Sequence, residues 1–294
     1  MLGFALMIAS FFFIGRRLME MQGDLNLSVL THPGLLIPLL LLGLGEGIVL
    51  MLAALNYRGL VANISGIKVK TRTAMRVYAV SNLYKYIPSG VMYVLGRNRM
   101  AIETKGLSHG KVALATLAEG IFLVLAAVIL TSVYSFDYFI DYIRQFKLPP
   151  WIIFTFAAMT GVLIFFRRYL QPAVDYISLH PVMIVKRLVC ALVIVSLWGI
   201  SFAAALLIMG QPLTFGLGAS VAGLFILSWL AGYLTPGAPS GIGIREVVLF
   251  TFMGGVLDDG ILLSTIVIHR ALQVAGDIAA YGIALGYGYL GKDN

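Results

Sequence analysis

The chain has 294 residues, of which 60% are hydrophobic and 12% are charged, and its net charge is +8. Soluble domains contain about 45–50% apolar residues, so this composition excludes an ordinary soluble protein and indicates a polytopic membrane protein. The single cysteine, Cys190, excludes an internal disulfide. No basic run with interleaved aromatic residues indicates nucleic-acid binding, and the basic excess is typical of cytoplasmic loops.

The first apolar runs differ in length. Residues 1–15 would span only about 22 Å as a helix, less than the roughly 30 Å hydrocarbon core, and Arg16-Arg17 ends the run. Gly34–Leu55 is long enough to span a membrane and contains Glu46 among glycines, where a packing or capping role is favoured. The polar connection from Asn56 to Arg76 carries basic and no acidic residues, which places it in the cytoplasm.

The next apolar segment, residues 77–96, contains Pro88-Ser89-Gly90 near its middle. The connection after it is also basic, so both borders are predicted to be cytoplasmic. A segment with both ends on one side must enter the membrane and return, which predicts a re-entrant hairpin that turns at these three residues. Lys85 and Arg97 flank the turn and are candidate binding residues.

Four further apolar runs precede a second interruption: three are predicted spanning helices, and the last, 214–234, enters the membrane and is interrupted. The helix from Lys111 to about Tyr134 contains Glu119, and the charge-balanced loop to Pro150 suits the outside. The runs that follow are 151–166, which ends at Arg167-Arg168, then 188–209 and 214–234.

The second interruption is Pro236-Gly-Ala-Pro-Ser-Gly-Ile-Gly-Ile-Arg-Glu246, between two apolar runs. Proline removes backbone donors and glycine weakens a helix, so this stretch predicts a broken helix of the kind found at transport sites. An acidic pair, Asp258-Asp259, follows residues 247–255 and favours a re-entrant hairpin from the outer face. Residues 261–289 then cross back to the cytoplasm. The candidate contact residues of this stretch are Pro239, Ser240, Gly241, Gly243, Arg245 and Glu246.

A shift of 151 residues aligns the two halves of the chain. It pairs Pro88-Ser89-Gly90 with Pro239-Ser240-Gly241, and Glu119 with Arg270. The sequence therefore predicts an all-α polytopic membrane protein with about six spanning helices and two re-entrant broken-helix hairpins. These form a single transmembrane domain of residues 1–294, with pseudo-repeat halves at about 1–147 and 148–294. Each half has an odd number of crossings, so the repeats are expected to be inverted.

Charged residues inside membrane segments are costly and are functional candidates. A pseudo-twofold axis would bring Glu119 and Arg270 together, either as a structural ion pair or as a pair that opens for a charged head group. Arg245 and Glu246 begin a half-helix, whose amide groups and dipole suit a phosphate that Arg245 would bind bidentately. The alternative is that both residues only satisfy the local backbone. Gly282 and Gly286 form a small-residue face for which helix packing is favoured.

These motifs resemble the transmembrane region of the lysylphosphatidylglycerol synthase family, which includes the flippase domain of the multiple peptide resistance factor and stand-alone relatives. The resemblance rests on Asn82, Pro88-Ser89-Gly90 and Arg97, on Glu119, on the glycine-rich stretch that ends in Arg245-Glu246, and on Arg270. The chain departs from the family at Gly120, where an arginine often follows the glutamate. The aminoacyl-transferase domain of the full-length synthases is absent from the sequence.

The resemblance implies a lipid flippase or scramblase in the cytoplasmic (inner) membrane of a prokaryote, with both termini in the cytoplasm. Its partners would be membrane lipids: an anionic or aminoacylated phospholipid, or a polyprenyl-phosphate-linked glycan. A partner enzyme that supplies the lipid and assembly into a homo-oligomer are left open. No nucleic acid, cofactor or metal is expected, since the four histidines show no ligand spacing. No ATP-binding motif occurs, so movement would be downhill, ion-coupled or driven by a partner.

Two other classes of function compete with transport. One is a non-transporting accessory or scaffold subunit of a lipid or glycan pathway. The other is a lipid-modifying intramembrane enzyme, in which Ser240 and His269 would imitate a protease dyad. The required glycine-x-serine-glycine pattern is absent, because Pro239 precedes the serine and Ala238, not glycine, precedes Pro239. The sequence therefore favours a protein that is not an enzyme.

Overall fold

The computed structural model describes residues 33–86, 92–136, 181–235, 239–254 and 256–290. Several sequence predictions lie outside the described residues. They are the run 1–15 with Arg16-Arg17, the turn Pro88-Ser89-Gly90, the run 151–166 with Arg167-Arg168, and residues 236–238 of the second interruption.

The described chain is almost entirely helical, as the sequence predicted. Five of its helices are long and apolar enough to cross a membrane. Helices of 20 to 33 residues measure about 30–50 Å, which matches or exceeds the hydrocarbon core. These five helices are α1 (Pro33–Ser65), α5 (His109–Tyr134), α6 (Pro181–Ile208), α7 (Phe215–Leu234) and α9 (Asp259–Leu290).

Four shorter helices lie between the spanning helices. They are α2 (Thr71–Leu83), α3 (Met92–Arg97), α4 (Arg99–Glu103) and α8 (Ile244–Met253). Two short 3-10 turns, Tyr84–Tyr86 and Pro239–Gly241, stand beside the two interruptions predicted from proline and glycine.

Helix α1 is longer than predicted, because it continues to Ser65, through about half of the connection expected from Asn56 to Arg76. The extension packs against the core: Tyr57, Leu60 and Val61 are fully buried. Their spacing puts them on one face of a helix. The Tyr57 hydroxyl contacts Thr116 Oγ1 at 2.9 Å. The helix ends only at Gly66, whose φ of 72° suits a helix terminus. The prediction of a long polar loop was therefore wrong.

In both interrupted segments, the helices on the two sides of the break contact each other. A Cβ atom on Gly96 of α3 would lie 2.7 Å from the Tyr84 ring and 3.0 Å from Ser81, so α3 packs against the end of α2. In the second half, a Cβ atom on Gly232 of α7 would lie 3.0 Å from the Cα of Gly241. Only glycine permits these close approaches, and each brings the helix after the break against the helix before it.

Helices α1 and α9 pack closely through small residues. A Cβ atom on Gly47 would lie 2.8 Å from the Gly276 carbonyl oxygen, and one on Gly276 would lie 2.8 Å from that of Gly43. This is the small-residue packing typical of membrane helices. The packing role expected for Gly282 and Gly286 is wrong within the described residues, since nothing lies within 4 Å of a Cβ at either position.

The outer faces of the long helices are apolar. On α1, side chains at 39–62% exposure include Leu41, Leu44, Ile48 and Leu52. Exposed apolar stripes of this length are unfavourable in water and are expected for helices that face lipid.

Candidate functional site

A cavity of about 370 Å³ lies within the helix bundle, and eight helices and both 3-10 turns contribute residues to its wall. Both interruptions border it: Tyr84 and Lys85 come from the first, and Thr235, Ser240 and Gly241 from the second. The two broken segments thus meet at one space, as the sequence predicted. The charged lining residues are Glu46, Lys85, Arg97, Glu119, Arg245 and Asp277.

The cavity wall is electrically balanced when every group carries its usual charge, with three cations and three carboxylates. Charges in a low-dielectric interior are costly unless they are paired and hydrogen-bonded. The partner of each charge therefore indicates which groups are structural and which can receive a ligand.

Arg97 and Glu119 form one buried ion pair, and each is 5% exposed. The Tyr78 hydroxyl donates to the other Glu119 oxygen at 2.8 Å. The Arg97 guanidinium also lies 4.5 Å from the Tyr57 ring centroid and 4.2 Å from that of Tyr78. Cation–π contacts and a carboxylate satisfy Arg97 within the protein. Both residues line the cavity as predicted, but they hold α3 against α5.

Arg270 pairs with Glu246 and not with Glu119. Its Nε lies 3.0 Å from Glu246 Oε1, and its Nη1 donates to the Ser240 carbonyl oxygen at 3.1 Å. Glu246 Oε2 accepts the Gly243 amide at 2.6 Å, which caps the start of α8. The expected contact between Glu119 and Arg270 is therefore wrong. The local backbone role that the sequence left open for Glu246 is the one observed.

The backbone of the second interruption turns back sharply. Ser240 has a φ of 52°, in the left-handed region that residues other than glycine rarely adopt. Gly241 and Gly243 follow at 68° and 91°. The hydrogen bond from Arg270 to the Ser240 carbonyl holds this conformation. Arg270 and Glu246 thus fix the turn and line a small pocket beside the main cavity.

Arg245 has a different environment from the other cations of the cavity. It is 9% exposed, and it makes no hydrogen bond or ion pair with any described residue. Two glycines leave space for the Arg245 side chain: a Cβ atom on Gly232 or on Gly241 would lie 2.9 Å from it. A buried guanidinium without a counter-charge is unfavourable, which makes Arg245 the strongest candidate for an anion-binding residue.

Asp277 was not predicted, although it anchors the first interruption. Its carboxylate accepts from Asn82 Nδ2 at 2.7 Å and from the Tyr86 hydroxyl at 2.5 Å. Lys85 Nζ lies 2.7 Å from it. The rule that selected Glu119 and Arg270, a charge inside an apolar segment, also applies to Asp277 in residues 261–289. Lys85, predicted as a binding residue, lines the cavity but already has this partner.

Glu46 and His269 form a separate buried contact between α1 and α9. Glu46 Oε1 lies 3.4 Å from His269 Nε2, and Ser201 Oγ lies 3.2 Å from the same nitrogen. The serine that contacts His269 is thus Ser201 and not Ser240. The pair of Ser240 and His269 considered in the sequence analysis is therefore not formed. Both serine and carboxylate contact one ring nitrogen, whereas a catalytic triad uses both nitrogens.

The wall on the α6 and α7 side is aromatic. The rings of Trp198 and Trp229 lie 5.2 Å apart, and Trp229 stacks on Tyr233 at 5.0 Å. The Tyr233 hydroxyl would lie 2.7 Å from a Cβ on Gly120. A larger side chain at position 120, such as the arginine of the resembling family, would have to displace Tyr233. The site therefore combines one cation that contacts no carboxylate of the described chain, Arg245, with an apolar surface of aromatic rings.

No family model, curated protein or solved structure matches this chain. The resemblance to the lysylphosphatidylglycerol synthase transmembrane region therefore stays a prediction from the motifs. The argument for function depends on the site itself.

Most predicted site residues that fall within the described chain do come together. Six of them line the main cavity, and Glu246 and Arg270 line the adjoining pocket. Gly243 lies at the N-terminus of α8 as its capping residue. The side chain of Pro239 and the residues Pro88-Ser89-Gly90 fall outside the described part. The six are Lys85, Arg97, Glu119, Ser240, Gly241 and Arg245.

Proposed function

We propose that this protein is a membrane lipid transporter, a flippase or scramblase, that binds the anionic head group of a lipid at Arg245. The observation that carries the proposal is the buried guanidinium of Arg245, which faces a cavity between spanning helices and has no carboxylate partner among the described residues. An anionic ligand would supply the direct hydrogen-bonding partner that this guanidinium lacks.

A phosphate fits the chemistry of this position. Guanidinium groups bind phosphate through two parallel charge-assisted hydrogen bonds, which are roughly twice as strong as neutral ones. Hydroxyl and amide groups of Thr235, Ser240 and Gln273 line the same space and can donate further hydrogen bonds. The other cations of the wall are already paired, so they would contribute a positive field more than direct contacts.

The aromatic wall suits the part of the lipid next to the phosphate. On the cavity wall, Trp198 and Trp229 form a tilted pair of rings, and Trp229 stacks on Tyr233. Aromatic rings with a polar edge favour amphipathic groups at a polar boundary, such as a glycerol backbone, a sugar or the first isoprene units of a polyprenyl phosphate. A free inorganic anion would leave this surface unused.

The arrangement of the two halves also supports transport. Arg97–Glu119 and Glu246–Arg270 each join a short helix after an interruption to the spanning helix that follows it. The charges are reversed between the halves: the 151-residue shift relates Glu119 to Arg270, and their partners Arg97 and Glu246 lie 149 residues apart. We therefore keep the proposal of two inverted repeats with re-entrant hairpins, an architecture of secondary transporters. The prokaryotic cytoplasmic membrane and the lysylphosphatidylglycerol synthase family belong to the same proposal.

Inverted topology has its own test by cysteine labelling in a Cys190→Ala background. Lys105→Cys should react with a membrane-impermeant maleimide only from the cytoplasmic side, and Val256→Cys only from outside. Both residues lie in exposed positions beside the two interrupted segments. Labelling of both from one side would exclude the inversion.

Transport itself is tested by dithionite quenching of fluorescent lipids in proteoliposomes. Labelled phosphatidylglycerol, its lysyl form and a labelled polyprenyl phosphate would be compared. We expect wild-type protein to expose inner-leaflet probe faster than empty liposomes for at least one lipid. Arg245→Gln should slow this movement by roughly tenfold or more, since a hydrogen bond to a charged group contributes about 1.5–3 kcal/mol.

Arg99→Gln is the matched control, because Arg99 is an exposed arginine with a surface partner, Glu103. It should move lipid at the wild-type rate. Probe that stays protected as in empty liposomes for all three lipids would contradict the transport proposal. Equal rates for wild type and a folded Arg245→Gln variant would contradict the role of Arg245.

A further inference from the structure

Glu46 differs from the other buried carboxylates of the site in having no cationic side chain beside it. Glu119 is held by Arg97, Asp277 by Lys85, and Glu246 by Arg270. Each of these three also accepts a hydrogen bond from a hydroxyl, amide or backbone donor. Each of these three carboxylates therefore has both a cationic partner and a hydrogen-bond donor.

The surroundings of Glu46 offer it only an imidazole. Glu46 is 8% exposed, and its Oε1 has no hydrogen-bond donor among the described residues. His269 Nε2 lies 3.4 Å away. The imidazole is 1% exposed and lies edge-on to the rings of Phe202 and Phe225. Glu46 thus lacks the compensating cation that the other three carboxylates have, and imidazole is the side chain that most readily changes its charge near neutral pH.

Other charged groups face this pair from the neighbouring elements, but each is already paired or is Arg245. Helix α6 contributes Ser201, which has no charge. Glu46 itself lines the main cavity, so a proton can reach the pair from there. The facing groups on α2, the Tyr84–Tyr86 turn, α3, α5, α8 and α9 are Tyr78, Lys85, Arg97, Glu119, Arg245, Glu246, Arg270 and Asp277.

The charge balance of the cavity connects this pair to the ligand. With neutral His269, the carboxylate of Glu46 is the negative charge that offsets Arg245. It is also one of the charges that act on Arg245. A phosphate that binds Arg245 would make the cavity negative, and one proton taken up by Glu46 or His269 would restore neutrality. Binding of the anion and binding of the proton then strengthen each other, as thermodynamic linkage requires.

We infer that Glu46 and His269 form a proton-binding site, and that this site couples movement of the anionic head group to movement of a proton in the same direction. This inference rests on the proposed lipid transport. The proton is the second cargo: it binds the carboxylate or the imidazole when the phosphate enters and leaves when the phosphate leaves. No bond other than those to the proton forms or breaks.

The test is the final distribution of labelled phosphatidylglycerol and of a labelled polyprenyl phosphate between the leaflets, with a pH gradient imposed on proteoliposomes. Valinomycin and equal potassium concentrations on both sides hold the membrane potential at zero. Dithionite quenching measures the fraction of labelled lipid in the outer leaflet. For one proton per lipid, a tenfold proton gradient should shift the distribution of the moved lipid by up to roughly tenfold toward the alkaline side. This ratio does not depend on the orientation of the protein, because it is an equilibrium property. Empty liposomes give the baseline.

Glu46→Gln should still move lipid but should give the same distribution with and without the gradient, and His269→Gln should weaken the shift. Glu103→Gln, the same change in a surface ion pair, should behave as wild type.

If the wild-type protein moves lipid but the final distribution does not depend on the pH gradient, the coupling is overturned and the transport proposal is unaffected. A folded Glu46→Gln variant that still follows the gradient would overturn the assignment to Glu46. If Glu46→Gln fails to fold, the comparison of wild type with His269→Gln tests the assignment, and an undiminished shift in His269→Gln would overturn it. Failure of the wild type to move either lipid would overturn transport by this site and the coupling together.

Discussion

Lys85 Nζ lies 2.7 Å from the Asp277 carboxylate, and this contact ties the first interrupted helix to the last spanning helix. Asn82 and Tyr86 donate to the same carboxylate, so three neighbouring residues are fixed by one side chain on α9. The first wall of the cavity is therefore positioned by a residue from the opposite end of the chain.

Asp277→Asn should lower stability markedly. The substitution leaves Lys85 without a counter-charge, and loss of one partner of a buried pair costs about 3–5 kcal/mol, less here because Lys85 is 32% exposed. We expect a lower thermal unfolding temperature in detergent. The double variant Lys85→Met with Asp277→Leu should recover part of the loss, because it removes both charges. A double variant no more stable than Asp277→Asn would contradict a charge-based explanation.

Arg97→Gln should be more damaging than any change to an exposed arginine. It leaves Glu119 buried without its cation, so a loss of about 3–5 kcal/mol is expected. Arg99→Gln, two residues along the chain, should change stability by less than about 0.5 kcal/mol. Thermal unfolding of both variants in the same detergent makes the comparison, and similar unfolding temperatures would show that the Arg97–Glu119 pair is not structural.

Gly232→Ala should disturb both packing and function. Its Cβ would lie 2.9 Å from Cγ of Arg245 and 3.0 Å from the Cα of Gly241. Overpacking of this kind costs about 1–3 kcal/mol and would displace the guanidinium. Gly45→Ala is the matched control, since nothing lies within 4 Å of its Cβ and alanine favours a helix. Slower lipid movement by Gly232→Ala alone is the expected result; equal slowing by both variants would contradict it.

Ser240 offers a test of the strained turn. Ser240→Gly should be tolerated or slightly stabilising, because glycine adopts a φ of 52° without a steric cost and the carbonyl that Arg270 contacts remains. Ser240→Val should lower the unfolding temperature, since a left-handed β-branched residue is strongly disfavoured. Greater loss in the glycine variant than in the valine variant would mean that the hydroxyl, and not the backbone, holds the turn.

The elements could be predicted from the sequence better than the contacts between them. Glycine and proline located the second interruption correctly, because their backbone effects are local. The partner of Glu119 could not be found in this way, since it depends on how α3 and α5 rotate against each other. The 151-residue shift suggested Arg270, yet each of these residues pairs within its own half.

Two features that were not predicted, the extension of α1 and the role of Asp277, had a signal in the sequence. Tyr57, Leu60 and Val61 continue the helical spacing of α1 beyond Leu55, and the surrounding polar residues obscured it. Asp277 is an acidic residue in an apolar run and met the criterion applied to Glu119. By contrast, the sequence could not predict that Arg245 lacks a partner, because this is a property of the folded cavity.

Photo-crosslinking with a lipid that carries a diazirine beside its phosphate tests most directly whether the head group binds at Arg245. The account predicts that wild-type protein is labelled on residues around this side chain, above all Tyr233, Thr235 and Gln273, and that Arg245→Gln loses this labelling while Arg99→Gln keeps it. Labelling confined to the outward-facing side chains of α1, such as Leu41 and Ile48, would contradict the account.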